Sequence, residues 1–316
     1  MSAANYVLTP VAGKRALITG GAGGIGLEVA ISLAVEGCEV ILADIDPDAG
    51  QRALKYLKSL KPAISPRFYQ MDLSKQDNVA RFAEQMLTLN QSLDFLFNNA
   101  GIQPLSQRRT TNENQELCFA IGHLGHFALT ARLLPLLLAS PAPRVITTSS
   151  LVHAQGRIHQ NDLSLEHNYE AQRAYNQTKL ANLLFAQELQ RICAGAGSNL
   201  LSLAAHPGVA RTGIGSNRSK HGSLSIKDHF VGVVLKVVMP LLGQDADRGA
   251  WPLLYAATTP DPTPGGLYGP GGIGEMRGAP KLAKVGRVAQ DPRLARWLWE
   301  TSEQLCRVEY ANVLRA

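Results

Sequence analysis

Apolar and polar residues follow one another in blocks that predict alternating strands and helices along most of this chain. Short apolar runs end at glycine, aspartate, asparagine or serine, and the stretch after each run has apolar residues at helical spacing. We expect strands at residues 14–19, 39–43, 67–71, 93–97, 144–148 and 200–204. We expect helices at 25–36, 47–60, 113–140, 172–194 and 245–259 and from Pro292 onward, and another helix that Ser74 caps. A glycine-rich return with one short strand is expected at 265–274.

Strands that alternate with helices are typical of a parallel sheet with right-handed crossovers. The sequence therefore predicts an α/β fold, a doubly wound parallel sheet with helices on both faces. The 316 residues suffice for one large domain with a full core, and neither an internal repeat nor a shift in composition divides them. We expect a single domain over residues 1–316.

The first strand runs into a glycine-rich turn, T-G-G-A-G-G-I-G at residues 19–26, which leads into the first helix. Gly20, Gly24 and Gly26 allow a tight turn and leave room for a pyrophosphate that faces the N–H groups of the helix. Such turns also use glycine for conformational reasons alone. The second strand, however, ends at Asp44, where a carboxylate can accept both hydroxyls of an adenosine ribose. A dinucleotide-binding, Rossmann-type sheet is therefore a better interpretation than a surface aspartate beside an ordinary turn.

Two further strand ends place suitable residues at the same edge of the predicted sheet. Asp72 and Leu73 follow the third strand, where the carboxylate could meet the amino group of an adenine. The sequence N-N-A-G at 98–101 follows the fourth strand, and its short polar side chains and glycine suit the floor of a nucleotide site.

Tyr175 and Lys179 lie four residues apart in a predicted helix and therefore share one face. An ordinary tyrosine has a pKa of ~10, and a lysine within ~4–6 Å would favour the phenolate and lower that pKa. Such a tyrosine can act as a general acid or base. Ser150, at the end of the fifth strand, could hold a carbonyl oxygen while Tyr175 protonates it. A tyrosine and a lysine one turn apart are common by chance, so the prediction depends on the combination of all three residues on this type of sheet.

Together, these segments resemble the short-chain dehydrogenase/reductase family over nearly the whole chain. The resemblance rests on residues 19–26, Asp72, N-N-A-G at 98–101, S-S at 149–150, Y-N-Q-T-K at 175–179 and H-P-G at 206–208. Three further segments are similar to the retinol-dehydrogenase-like branch: H-L-G-H-F at 123–127, G-R-I-H at 156–159 and K-L-A-N at 179–182.

The resemblance implies a set of site residues and no catalytic metal. Ser150, Tyr175 and Lys179 would be the catalytic serine, tyrosine and lysine, and Lys179 would also hydrogen-bond the nicotinamide ribose. Pro207-Gly208 and Thr212 would close over the nicotinamide end of the cofactor. The implied cofactor-binding residues are Gly20, Gly24, Ile25, Gly26, Asp44, Asp72, Leu73, Asn99, Ala100, Gly101, Tyr175, Lys179, Pro207, Gly208 and Thr212.

Three departures from the family pattern change the expectations. Members of this branch often carry a basic residue at the tip of the second strand and prefer NADP, whereas this chain has Asp44 there. We therefore expect NAD as the cofactor. We also expect no hydrophobic N-terminal anchor. The asparagine that the family usually places before H-L-G-H is replaced by Gly122, which predicts a weaker proton relay that Gly122→Asn would improve.

Composition and charge argue against several other classes of protein. Most of the net charge of +6 lies in the last third of the chain, but it is spread out rather than clustered, unlike the charge of a nucleic-acid binder. No apolar run reaches the ~20 residues of a transmembrane helix and no secretory pattern is found, so we expect a cytoplasmic protein without a membrane span.

His123 and His126 have no third ligand at a suitable spacing, which favours structural histidines over a metal site. The cysteines are scattered and are expected to be buried and reduced: Cys38, Cys118, Cys193 and Cys306.

The sequence thus predicts an oxidoreductase that moves a hydride between NAD(H) and an alcohol or carbonyl substrate with an apolar body. Residues 211–244 would select this small molecule, and their apolar part, 230–242, is either a lid or an ordinary helix on the core. Two alternatives stay open. One is a nucleotide-binding sensor with little turnover, and the reason to retain it is that Gly122 replaces the usual asparagine of the family. The other is an enzyme with non-redox chemistry, such as epimerisation or cyclisation. A homo-oligomer is compatible with all of these.

Overall fold

The computed structural model of the protein describes residues 10–103, 105–209 and 244–311. The strands are β1 (Arg15–Thr19), β2 (Glu39–Asp44), β3 (Arg67–Gln70), β4 (Phe95–Asn98), β5 (Arg144–Thr148), β6 (Leu201–Ala205), β7 (Leu267–Pro270) and β8 (Pro280–Leu282). The helices are α1 (Gly24–Val35), α2 (Pro47–Ser59), α3 (Gln76–Thr88), α4 (Leu117–Phe119), α5 (Gly125–Leu138), α6 (Ala171–Gly195), α7 (Ala246–Thr258) and α8 (Pro292–Cys306). A π-helical turn, Ala120–Leu124, joins α4 to α5, and 3-10 turns lie at Leu151–Gln155, Ile273–Glu275 and Arg287–Gln290.

The strands of the described residues form one eight-stranded sheet in the order β3-β2-β1-β4-β5-β6-β7-β8. All neighbours are parallel except β7 and β8, which are antiparallel. The strand order reverses between β1 and β4, so the loops after these two strands diverge and open a crevice at the carboxyl edge of the sheet. The predicted doubly wound, Rossmann-type fold is confirmed.

Helices cover both faces of the sheet and create two apolar cores. Phe127 and Trp299 belong to the core on one face, and Leu33 and Phe97 to the core on the other. Parallel strands covered by helices on both faces tend to be apolar along most of their length, and in β4 the first three residues, F-L-F, are apolar and buried. All four cysteines are buried with free thiols, as expected.

The structure corrects several local expectations. The long helix expected at 113–140 begins at Leu117 and is interrupted by the π-helical turn. Ser74 does not cap α3, because that helix begins at Gln76 with Lys75 at the N-cap position. The stretch that follows α7 contains two short strands, β7 and β8, where only one was expected. Thr212 and residues 211–243 of the expected substrate-selecting segment lie outside the described residues.

Within the described part of the chain, one helical stretch, Leu117–Leu138, is long and apolar enough to cross a membrane by length and composition. The expectation that no stretch reaches this length was therefore wrong, since α4, the π-helical turn and α5 together do reach it. Most of the side chains in this stretch are buried inside the protein, as in a core helix of an α/β domain.

Candidate functional site

The glycine turn lies in the crevice between β1 and β4. Gly20 and Gly24 have φ angles of +63° and +53°, in the left-handed region that favours glycine. A Cβ atom on Gly26 would overlap the carbonyl oxygen of Gly20 and approach Asn99 Nδ2 to 2.7 Å. The turn therefore needs these glycines both for its backbone conformation and for close approach to the loop after β4.

The N-terminus of α1 is open to an anion. Its N-cap residue, Gly23, has no side chain that could cap the helix, and its first turn contains no acidic residue. The first N–H groups of a helix lack intrahelical partners and carry the positive end of the dipole. Gly20, Gly24 and Gly26, which were predicted to leave room for a pyrophosphate, therefore fit such a group, and the predicted cofactor-binding residue Ile25 lies in the first turn of the same helix.

Asp44 lies beside the glycine turn at the end of β2. Its Oδ2 atom accepts a hydrogen bond from the Ala22 N–H at 3.1 Å, and its Oδ1 atom accepts one from the Asp46 N–H at 3.2 Å. These two bonds fix the carboxylate next to the turn, where the sequence predicted an adenosine ribose.

Asp72 shapes the turn that leads into α3. Its Oδ1 atom accepts hydrogen bonds from the backbone N–H and the hydroxyl of Ser74, at 3.0 and 2.6 Å, and its Oδ2 atom lies 3.2 Å from Lys75 Nζ. Burial acts to raise the pKa of Asp72, but the bonds from Ser74 and Lys75 outweigh it and leave the pKa below its ordinary value. The neighbouring Leu73 is buried. The contact between Asp72 and an adenine stays a prediction. The adenine amino group would have to donate to a carboxylate lone pair that Ser74 and Lys75 leave free.

One hydroxyl holds the N-N-A-G loop against the glycine turn. Thr19 Oγ1 accepts hydrogen bonds from the N–H groups of Asn99 and Ala100, at 2.9 and 3.0 Å, and lies 2.8 Å from His126 Nε2. His126 Nδ1 lies 3.0 Å from the carbonyl oxygen of Gly122. A carbonyl can only accept, so Nδ1 carries the proton and Nε2 accepts from the Thr19 hydroxyl. Burial lowers the pKa of His126 to about 4, which keeps the ring neutral.

His123 is also held by protein groups. Its Nε2 atom lies 3.0 Å from Ser302 Oγ, and burial lowers its pKa to about 3. Within residues 10–103, 105–209 and 244–311, no three His, Cys, Asp or Glu side chains come close enough to hold a metal ion. His123 and His126 thus bond to hydroxyl and carbonyl groups of the protein, as structural histidines do.

Ser150, Tyr175 and Lys179 come together at the carboxyl end of β5. Ser150 follows this strand, and the other two residues lie one turn apart on α6. Lys179 Nζ lies 5.6 Å from the centroid of the Tyr175 ring and donates a hydrogen bond to the Thr148 carbonyl at 3.2 Å. A Cβ atom on Gly101 would lie 3.7 Å from Lys179 Nζ. The lysine therefore lies between the tyrosine and the N-N-A-G loop.

The pKa of Tyr175 is raised in this structure rather than lowered. Burial, the largest cause, and the Cys118 thiol together raise the pKa of Tyr175 to about 12, against the lowering effect of a hydrogen bond with Ser150. Burial lowers the pKa of Lys179. The expected net lowering of the Tyr175 pKa is not found, because burial outweighs the effect of a lysine whose Nζ atom lies 5.6 Å from the ring centroid and bonds to the Thr148 carbonyl.

Two side chains that the sequence analysis did not single out fix α6 to β5. Ser149 Oγ donates a hydrogen bond to the Lys179 carbonyl at 2.8 Å, and Asn182 Nδ2 donates one to the Thr148 carbonyl at 2.9 Å. The signal for Asn182 was its position three residues after Lys179 in K-L-A-N. These bonds position the catalytic candidates relative to the strand end.

Pro207 and Gly208 follow β6 at the same edge of the sheet. Gly208 has a φ angle of +66°, and its N–H donates a hydrogen bond to His206 Nδ1 at 3.2 Å. Gln244 Nε2 donates to the Pro207 carbonyl at 2.8 Å. The structure thus places this turn near the end of β5, next to β6 in the sheet.

Comparison with known sequences identifies the family. The family model described as short chain dehydrogenase matches residues 14–222. The chain belongs to the short chain dehydrogenase family. The protein is therefore an oxidoreductase with the nicotinamide-cofactor fold of that family.

Full-length relatives confirm the resemblance to the retinol-dehydrogenase-like branch. Retinol dehydrogenase 13 of Homo sapiens is 34% identical over 307 residues, which cover 96% of this chain and 87% of that protein. Polyprenol dehydrogenase of Mus musculus is 35% identical over 301 residues, covering 93% and 84%. The crystal structure of an uncharacterized protein from Mycobacterium Paratuberculosis has a TM-score of 0.77 and 34% identity, and the match covers 98% of both chains.

Gly122, where short chain dehydrogenases usually have asparagine, lies in the π-helical turn and faces α6. A Cβ atom on Gly122 would lie 2.6 Å from Thr178 Cγ2. The Thr178 hydroxyl donates a hydrogen bond to the Ala174 carbonyl at 2.8 Å, which holds this side chain in place. The effect of Gly122→Asn on the proton relay stays a prediction, and the structure adds that the threonine methyl lies in the space that the new side chain would need.

Proposed function

We propose that this short chain dehydrogenase uses NAD(H) to interconvert an alcohol and a carbonyl compound that has an apolar body. The main support for the proposal is that Ser150, Tyr175 and Lys179 lie together at one edge of the sheet. The same edge contains the glycine turn and Asp44. This arrangement brings a proton donor and acceptor to the edge where the dinucleotide would lie.

The three residues have distinct roles in the proposed reaction. The Tyr175 hydroxyl gives a proton to the carbonyl oxygen during reduction, or takes one from the alcohol during oxidation. The Ser150 hydroxyl, which hydrogen-bonds with Tyr175, holds the same oxygen. Lys179 binds a ribose hydroxyl, and its charge stabilises the tyrosinate when the proton leaves. When bound, NADH would supply the hydride for reduction, and NAD would accept it in oxidation.

The names of the relatives support an apolar alcohol as the substrate. Retinol dehydrogenase 13 and polyprenol dehydrogenase are named for alcohols with long apolar bodies. We therefore propose incubation of the protein with NAD and a panel of alcohols that includes retinol, a polyprenol and short polar alcohols. NADH should form with the apolar alcohols. Tight NADH binding without turnover of any alcohol would instead favour a sensor or a non-redox enzyme.

Asp44 supports the choice of NAD over NADP. Its fixed carboxylate can accept the ribose hydroxyls and would repel a 2′-phosphate, and residues 19–26 contain no lysine or arginine. Like charges ~4 Å apart cost about 1 kcal/mol in water-like surroundings, and the hydrogen bonds to the ribose add to that difference.

The unmodified enzyme should therefore prefer NAD to NADP by about tenfold or more in kcat/KM, and Asp44→Ala should reduce this preference. Steady-state rates with both cofactors measure the ratio. Asp48→Ala, at an exposed aspartate in the first turn of α2, serves as the matched control and should leave the ratio unchanged. Equal efficiency of the unmodified enzyme with both cofactors would contradict the assignment.

Ser150→Ala should shift the pH profile of alcohol oxidation to higher pH. The hydrogen bond with Ser150 lowers the pKa of Tyr175, so its loss raises that pKa. Oxidation needs the deprotonated tyrosine, and the rate therefore rises with pH through the pKa of this group. The profile of kcat/KM against pH measures the shift, with Ser59→Ala at an exposed serine as the control. An unshifted profile would show that Ser150 does not act on the tyrosine.

A further inference from the structure

Two buried histidines lie beside the site without a role in the chemistry proposed above. His153 lies in the 3-10 turn that follows Ser150, and His206 directly precedes Pro207. Both rings contact the stretch between β7 and α8, residues 271–286, which we call the 271–286 segment.

The His153 ring connects the Ser150 turn to this segment. Its Nδ1 atom lies 2.7 Å from the Ser150 carbonyl oxygen, so Nδ1 carries the proton. Its Nε2 atom accepts a hydrogen bond from the Gly286 N–H at 3.1 Å. A Cβ atom on Gly286 would lie 2.9 Å from the Ala154 Cα atom, so the two backbones are in close contact.

The His206 ring makes the equivalent connection for the Pro207-Gly208 turn. Its Nδ1 atom accepts a hydrogen bond from the Gly208 N–H at 3.2 Å, which leaves the proton on Nε2. The Nε2 atom lies 3.3 Å from Glu275 Oε2, within ion-pair distance but without the alignment of a formed hydrogen bond. Glu275 is itself held, because its Oε1 atom accepts from the Lys284 N–H at 3.0 Å.

Backbone contacts reinforce the second connection. The Val209 N–H donates a hydrogen bond to the Met276 carbonyl at 2.9 Å, and a Cβ atom on Gly208 would overlap the same carbonyl oxygen. The turn after β6 therefore packs directly on the 271–286 segment.

Both rings are neutral at neutral pH. Burial, the largest cause, and the neighbouring His153 lower the pKa of His206 to about 4, although Glu275 opposes this effect. Burial also lowers the pKa of His153, against the effects of the Ser150 carbonyl and Glu275. The two histidines thus act as neutral rings that each join two parts of the protein.

We propose that His153, His206 and Glu275 are positioning residues that fix the Ser150 turn and the Pro207-Gly208 turn to the 271–286 segment. The inference rests on the proposed function, in which Ser150 holds the substrate oxygen, and on the closure of the Pro207-Gly208 turn over the nicotinamide end that the family resemblance implies. Because one segment holds both turns, it sets their relative position. The Glu275 connection then affects nicotinamide binding, and the His153 connection affects the rate of the chemical step.

Cofactor binding tests the Glu275 connection. Glu275→Ala should weaken NADH binding about tenfold, the effect of one lost polar contact to a buried ring, and leave ADP-ribose binding unchanged because that ligand has no nicotinamide. Glu84→Ala, at an exposed glutamate of α3, is the control. An equal loss for both ligands, or no loss for NADH, would overturn the proposed role of Glu275. If the unmodified protein bound no NADH, the proposed function would fail, and this inference with it.

A matched pair of variants tests the His153 connection. His153→Gln can place an oxygen near the position of Nε2 and accept from the Gly286 N–H, whereas the shorter His153→Asn cannot reach it. We expect His153→Asn to lower kcat about tenfold and His153→Gln to retain most of it, with NADH binding unchanged in both. Thermal unfolding of both variants would show whether the fold is intact. Equal kcat values in the two variants would show that contact with the 271–286 segment does not position Ser150.

Discussion

Tyr175→Phe is expected to lower kcat by about 10²–10⁴-fold while cofactor binding persists, since general acid–base catalysis contributes that much. The change removes one hydroxyl and leaves the aromatic ring under Lys179, whose Nζ atom lies 5.6 Å from the ring centroid. The lysine should also keep its bond to the Thr148 carbonyl, so the cofactor side of the site should stay intact. Steady-state rates and NADH titrations measure the two effects separately.

Tyr56→Phe is the matched control for this experiment. Tyr56 lies on α2 and is 50% exposed, so the loss of its hydroxyl should change neither turnover nor binding. If Tyr175→Phe retained near-normal turnover on the best alcohol of the panel, another group would have to move the proton. The proposed role of Tyr175 would then be withdrawn.

Gly122→Ala is expected to lower the free energy of unfolding by about 1–3 kcal/mol, the usual cost of overpacking a core. The new Cβ atom would lie 2.6 Å from Thr178 Cγ2, and the bond from the Thr178 hydroxyl to the Ala174 carbonyl resists a change of rotamer. Gly122→Asn should be at least as costly for the same reason. Unfolding in urea measures the loss.

Two further variants isolate the contact between Gly122 and Thr178. Gly195→Ala, in α6, has no atom within 4 Å of the new Cβ, and should be neutral or stabilising by roughly 0.5–1 kcal/mol. Thr178→Ser removes the obstructing methyl and should recover part of the stability lost in Gly122→Ala, so the two changes should not be additive. Additive losses would show that the glycine is not required by Thr178.

The order of strands and helices could be predicted because it depends on local signals. A parallel strand buried on both faces has an apolar run at its centre, and β4 and β5 show this in F-L-F and V-I, each followed by polar residues at the carboxyl end. The glycine turn and the positions of Ser150, Tyr175 and Lys179 could be found for the same reason, since sequence spacing places them at one edge of the sheet.

The features that the sequence did not reveal depend on contacts between distant parts of the chain. The raised pKa of Tyr175 follows from burial by surrounding elements, including Cys118. The contact of Gly122 with Thr178 and that of His153 with Gly286 join residues far apart in sequence. Neither composition nor local spacing carries information about such pairs.

The most direct test of the central claim follows the hydrogen that moves. Retinol, or the most active alcohol of the panel, is deuterated at its hydroxyl-bearing carbon and incubated with NAD and the enzyme. Because the alcohol carbon gives its hydride directly to the nicotinamide, mass spectrometry of the NADH formed should show one deuterium, and Tyr175→Phe should form almost none in the same time. NADH without deuterium, or no NADH from a protein that binds NADH, would contradict the account.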